Sequence, residues 1–227
     1  MMTYVISDLH GYPLKKFQQL LDKAAFSQTD TLYILGDIID RNGDGGVEML
    51  CWLLSQSNIH LLLGNHEAML LSVLDASGAK KAEALENYRL SGGDVTLNAL
   101  TELNNNSPQT VAAVVAYLRS SPLYQVVTVR DRRYLLLHGG LDDFNMDKKP
   151  CDYTPDEILW AWPEITDTYY DDVMTIFGHT PTMSYGEVYR GQILKTQTWI
   201  DIDVGAGHGQ EPVLLRLDDM QEFRNRP

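Results

Sequence analysis

The chain has 227 residues, 44% hydrophobic and 22% charged, with 17 Gly and 9 Pro, a globular composition that excludes collagen-like and low-complexity polypeptides. Eighteen Lys and Arg stand against 31 Asp and Glu, a formal charge of -13, so the average surface field repels nucleic-acid backbones and anionic membranes and gathers cations. The two cysteines, Cys51 and Cys151, have no CxxC spacing, which argues against a disulfide framework or a thiolate zinc site and favours a reduced, cytoplasmic setting.

The opening MMTYVISDLHG reaches Asp8 after a few apolar residues, without the basic start and long apolar run of an export signal. Nowhere does an apolar run approach the roughly 18 residues of a membrane span, so neither a membrane nor a nucleic-acid partner is expected. Short β-branched runs then alternate with helix-patterned segments: TYVIS, PLKKFQQLLDKAAF, TLYILG, GGVEMLCWLLSQ, IHLLLG. This predicts a βαβαβ unit with a largely parallel sheet, whose ligands gather at the carboxyl ends of the strands. A section over about 67–121 reads as a helical insertion, broken at Ser91-Gly92-Gly93 and Asn104-Asn105-Asn106. Strand-like runs return in YQVVTV, YLLLHGG, VMTIFGHT, GEVYRGQILK, TWIDIDVGA and VLLRL, separated by a short helix near DEILWAW, and an antiparallel second sheet would accommodate them. With no repeat and no Pro/Ser-rich linker, residues 1–227 are expected to form one domain.

Five strand ends deliver metal-ligating side chains: Asp8 and His10 in SDLHG, Asp37 in LGDIIDR, Asn65 and His66 in LGNHE, His138 in LLLHGG and His179 in FGHTP. A lone His or Asp after a strand is ordinarily a cap, a turn former or a hydrogen-bonded core residue. Five in succession, each beside a glycine that lets the chain turn, are not explained separately. Carboxylate, amide oxygen and imidazole suit manganese, iron or zinc in a catalytic centre, and the absence of cysteine ligands argues against structural zinc.

The series DLHG, GDIIDR, GNHE, HGG and GHTP, in that order, resembles the phosphoprotein phosphatases, of the bacterial serine/threonine type, within the calcineurin-like metallophosphoesterase superfamily. The resemblance implies an α/β fold with two mixed β-sheets in a sandwich flanked by helices. It also implies two divalent metal ions, manganese first, that activate a hydroxide. Asp37 would bridge them, with Asp8 and His10 completing one site and Asn65, His138 and His179 the other. His66 would donate a proton to the leaving oxygen, oriented by Asp40, while Arg41 and Asn65 would bind the substrate phosphate.

Relatives often carry a further arginine after a Leu-Trp pair, but this chain reads Leu159-Trp160-Ala161-Trp162-Pro163, and a family Asn-Gly-Gly is Ser91-Gly92-Gly93. Either Arg89 substitutes or the site works with Arg41 alone; for both tryptophans, burial in the short helix is expected over a wall beside the substrate. The leading expectation is a metal-dependent serine/threonine phosphatase acting on phosphorylated protein or peptide, because an acidic chain should disfavour a highly anionic dinucleotide. Alternatives are a nucleotide hydrolase similar to the symmetrical diadenosine tetraphosphatases and a non-catalytic metal-binding regulatory module. Asp40, Arg41 and His66 together disfavour the last. The oligomeric state has no signal in the sequence.

Overall fold

The computed structural model describes residues 1–225. Its first third is the expected alternation: β1 (Thr3–Ile6), α1 (Leu14–Lys23), β2 (Thr31–Ile34), α2 (Val47–Leu53) and β3 (Ile59–Leu61), the three strands pairing in parallel. Four consecutive helices follow, α3 (Asn65–Asp75), α4 (Gly78–Leu90), α5 (Asp94–Asn106) and α6 (Pro108–Ser120). The remainder contains β4 (Tyr124–Val129), β5 (Arg132–Leu137), α7 (Pro155–Leu159), β6 (Met174–Phe177), β7 (Leu194–Lys195), β8 (Trp199–Asp201), β9 (Leu214–Arg216) and β10 (Gln221–Phe223).

Two five-stranded sheets result, ordered β10-β9-β1-β2-β3 and β4-β5-β6-β8-β7. Both are mixed. The second is not the antiparallel sheet read from its strand-rich sequence, because β5, β6 and β8 run parallel. GEVYRGQILK is likewise not one strand: Gly186 (φ 142°) and Gly191 (φ 69°) break it into a 3-10 turn over Glu187–Tyr189 and the two-residue β7.

Side-chain alternation along the strands builds the layers. In β1, Tyr4 and Ile6 pack toward Phe17 and Leu20 of α1, whereas Val5 faces Leu136, Ile176 and Ile200 between the sheets. In β5, Tyr134 and Leu136 share that inter-sheet core, while Leu135 and Leu137 meet Ile158, Phe177 and Trp199 on the outer face. With period-2 strands, a one-residue slip would exchange these faces, so burial on both sides fixes the register. It thereby fixes where every strand end lies. No helix among the described residues is long and apolar enough to cross a membrane.

Candidate metal centre

The carboxyl ends of β1, β2, β5 and β6 and the N-terminus of α3 converge on one edge of the sandwich, bringing together Asp8, His10, Asp37, Asn65, His66, His138 and His179. Asp8, His10, Asp37, Asp40, Arg41 and His179 all have positive φ, between 41° and 76°. Such left-handed conformations cost non-glycine residues about 1–3 kcal/mol each and persist where the surrounding fold imposes them. The sharp turns were expected from the glycines; that the functional residues themselves carry the strain was not. Gly64 shows the crowding, since a Cβ there would collide with the Asp37 carboxylate.

Glu67 holds the loop after β2. It is completely buried, and its carboxylate accepts from the backbone N–H groups of Asp37 (2.9 Å), Ile38 (2.9 Å), Ile39 (3.3 Å) and Gly64 (3.1 Å). Burial, then the neighbouring Asp37, pushes its pKa up to about 7.

The Asp37 carboxylate lies between two groups of ligands. Its Oδ2 is 3.6 Å from His10 Nε2 and its Oδ1 3.4 Å from His138 Nε2. Asp8 Oδ1 is 4.0 Å from His10 Nε2, and Asn65 Oδ1 is 2.8 Å from His138 Nε2 and 3.1 Å from His179 Nδ1. Burial alone would raise the Asp37 pKa, but His138, His66, His10 and His179 hold it well below the usual carboxylate range. Burial pushes His10 and His179 each down to about 3 and lowers His138, leaving neutral imidazoles, the form that binds metal.

These residues fit a cation on a direct observation. His10 Nδ1 donates to Ile39 O (3.0 Å) and His138 Nδ1 to Leu35 O (2.7 Å), so both Nε2 lone pairs face inward. His138 Nε2 then meets the Asn65 carbonyl, acceptor to acceptor. Only reversal of the amide or a cation between them resolves that contact. Asp8 Oδ1 and His179 Nε2 are buried without any hydrogen-bond partner. The orphaned Asp8 oxygen on one side of Asp37 and the Asn65–His138 contact on the other make a cradle for positive charge.

His66 sits differently. Its Nδ1 is 2.6 Å from Asp40 Oδ2, and its Nε2 lies 3.2 Å from Arg41 Nη2. Burial would lower its pKa, but Asp37 and Asp40 outweigh that and raise it. Asp40 is itself fully buried, with Oδ1 accepting from the hydroxyls of Tyr88 (2.5 Å) and Thr96 (2.5 Å). The Ser91-Gly92-Gly93 turn has a definite task here, as Gly92 O accepts from the Arg41 backbone N–H (3.1 Å). Arg89 turns away and pairs with exposed Asp94.

A cavity of about 420 Å³ opens over the ligands, lined by Arg41, His66, Trp160, Trp162, His179 and His208 among others. The tryptophans are not buried as expected: Trp160 is 47% and Trp162 62% exposed, with their rings 5.8 and 6.3 Å from that of His179. The reason is that α7 ends at Leu159, so its apolar face is filled by Ile158 and Leu159 while both indoles fall beyond it. A larger cavity of about 510 Å³ lies on the other side of Trp162, faced by Asp142, Asp143 and Asp167 and holding none of the candidate ligands.

The family model of the calcineurin-like phosphoesterases matches residues 1–204. The chain belongs to this family. Calcineurin-like phosphoesterases use a dinuclear metal centre, and two overlapping groups here, His10, Asp37 and His66, and Asp37, His138 and His179, each bring ligand atoms within 4.8 Å of one another. The symmetrical bis(5'-nucleosyl)-tetraphosphatase of Erwinia tasmaniensis is 32% identical over 143 residues, 62% of this chain and 45% of that protein. This calcineurin-like phosphoesterase spans about half the length of the curated relatives it matches. Among solved structures, a candidate diadenosine tetraphosphatase (TM-score 0.61, 19% identity, 98% of this chain and 91% of that one) and a cold-active protein tyrosine phosphatase (TM-score 0.59, 19% identity, 98% and 75%) share its fold. A fold common to such different substrates leaves the choice of substrate to the cavity.

Proposed function

We propose that the chain is a metal-dependent hydrolase of nucleoside polyphosphates, cleaving a substrate of the diadenosine tetraphosphate type into two nucleoside diphosphates. The observation that carries this reading is the pair of exposed indoles, Trp160 and Trp162, beside His179 at the cavity mouth. Indoles offer stacking faces for nucleobases, worth about 1–3 kcal/mol per base. The names of the curated relatives support it as well. The expectation of a phosphoprotein substrate rested on net charge and on the arginine missing after Leu159-Trp160, and net charge averages the whole surface. Within this cavity the local groups are a guanidinium, imidazoles and indoles.

Asp8, His10 and Asp37 would hold one ion, and Asp37, Asn65, His138 and His179 the other. His66 Nε2 also comes within 3.9 Å of Asp37 Oδ2, but it lies beside Arg41 Nη2 with Nδ1 held by Asp40, and we assign it to the substrate rather than to the first ion. When bound, two divalent ions supply Lewis-acid activation of water and neutralise charge on the phosphoryl oxygens. The Arg41 guanidinium, a planar fork of donors, orients the phosphoryl group. A water, losing one proton to solvent, forms the new O–P bond as the bridging P–O bond breaks, and the departing oxygen keeps the electron pair. Protonated His66 gives that oxygen its Nε2 proton and is reprotonated from solvent, while Asp40 holds the Nδ1–H throughout. In the structure Arg41 Nη2 occupies the place beside His66 Nε2 that the leaving oxygen takes.

Parallel turnover with manganese on diadenosine tetraphosphate and on phosphoserine, phosphothreonine and phosphotyrosine peptides tests this reading. We expect kcat/KM at least about tenfold higher on the dinucleotide, ADP as its only nucleotide product, and a loss on the order of 10–100-fold on that substrate in Trp162→Ala. Faster turnover of a phosphopeptide would return the protein phosphatase reading.

A further inference from the structure

One imidazole at the cavity rim belongs to neither metal group. His208 lies in a turn after β8, and buried carboxylates build that turn. The Asp203 N–H donates to Asp201 Oδ1 (2.9 Å), the Gly205 N–H to Asp203 Oδ1 (2.9 Å), and the N–H groups of His208 (2.9 Å) and Gln210 (3.1 Å) to Gly205 O. Asp201 and Asp203 thus serve to fold the chain back over the metal centre. Gly207 lies directly against the site. A Cβ there would come within 2.5 Å of His10 Cδ2 and 2.9 Å of Arg41 Nη1, so only glycine permits the approach.

This places the His208 ring at one end of the Arg41 fork and His66 at the other: Nη1 is 3.4 Å from His208 Nε2, and Nη2 is 3.2 Å from His66 Nε2. A guanidinium has no acceptor, so His208 Nε2 accepts, and the ring proton resides on Nδ1. Among the described residues Nδ1 has no hydrogen-bond partner, and the ring that carries it lines the cavity over the candidate ligands. His66 marks the side from which the leaving group departs. His208 shares the same guanidinium from its other end, within the same cavity, so a phosphoryl group held by Arg41 has His66 on one flank and His208 on the other. Of the residues lining the cavity, Arg41 alone is permanently cationic, so a chain of phosphates has few other donors to meet.

We propose that His208 is a specificity-determining contact, donating from Nδ1 to a non-bridging oxygen of the phosphoryl group next to the one attacked, so that the site selects a chain of phosphates over a lone phosphomonoester. The inference rests on the nucleoside polyphosphate reading, and its test separates the two. With the metal-loaded full chain and manganese in excess, methylenediphosphonate and methylphosphonate serve as competitive inhibitors of p-nitrophenyl phosphate turnover. His208→Ala should raise the inhibition constant of the diphosphonate at least about tenfold, the scale of a hydrogen bond to a charged group, and that of the monophosphonate less than about threefold. His208→Asn, whose amide N–H lies where Nδ1 does, should recover most of the difference, which a merely structural role would not produce. On diadenosine tetraphosphate the loss in His208→Ala should fall mainly on KM. Equal shifts for both inhibitors, or no recovery with Asn, would overturn the inference even if the dinucleotide is a good substrate. A selective shift in a chain that does not cleave the dinucleotide would uphold the phosphate-chain contact and overturn the dinucleotide reading.

Discussion

Asp40→Asn isolates the proton-holding pair without changing the shape of the core. Tyr88 and Thr96 both donate to Asp40 Oδ1, so the carbonyl oxygen of an asparagine stays there and its NH2 faces His66 Nδ1, which lies 2.6 Å from the other oxygen. Nδ1 then accepts instead of donating, and the imidazolium loses a hydrogen bond from a charged group, about 1.5–3 kcal/mol. That free energy corresponds to roughly 10–150-fold in the population of protonated His66, and to the same factor in kcat where leaving-group protonation limits turnover. The assay compares β-glycerol phosphate, whose alkoxide needs the proton, with p-nitrophenyl phosphate, whose phenolate does not. We expect the full loss on the first, less than about threefold on the second, and metal content equal to the parent. Tyr88→Phe, which leaves Thr96 on Asp40 Oδ1, should fall between. Equal losses on the two substrates would refute the assignment of His66 as proton donor.

Other consequences reach the fold. Glu67→Ala orphans four buried N–H groups at about 1–3 kcal/mol each, so the urea midpoint should fall by the equivalent of at least about 3 kcal/mol; an unchanged midpoint would show that the clamp is dispensable. Asp30 accepts from the Met2 N–H (2.7 Å) and from the Ser27 N–H (2.9 Å) and hydroxyl (2.9 Å); burial raises its pKa, but these bonds outweigh it and leave it lowered. Its contribution to stability is therefore present above the unfolded carboxylate value, about 3.9, and is lost as pH falls through the lower folded value. The melting-temperature gap between the parent and Asp30→Asn should be widest near pH 6 and close toward pH 2; a constant gap would contradict this.

The residues that converge at the candidate centre were legible because their motifs each follow a short apolar strand and contain a glycine, a local pattern that chain order alone exposes. The first three strands and the helices between them were legible for the same reason, each period being complete within one segment. Tyr88 and Thr96 were not, since they meet Asp40 across 48 and 56 residues and neither helix carries a sign of it. The exposure of Trp160 and Trp162 turned on α7 ending at Leu159, a boundary that the DEILWAW pattern leaves undefined. Asp201 and Asp203 alternate like solvated strand residues, yet both are buried, because β8 ends at Asp201 and the carboxylates cap the turn that follows.

The central claim is a two-ion centre bridged by Asp37, and titrating metal-free chain with manganese by calorimetry, with turnover of diadenosine tetraphosphate measured on the same samples, tests it most directly. The account predicts about two equivalents bound, activity that completes with the second, and loss of both high-affinity binding and turnover in Asp37→Asn. Full turnover by the metal-free chain, or by Asp37→Asn without bound metal, would contradict it.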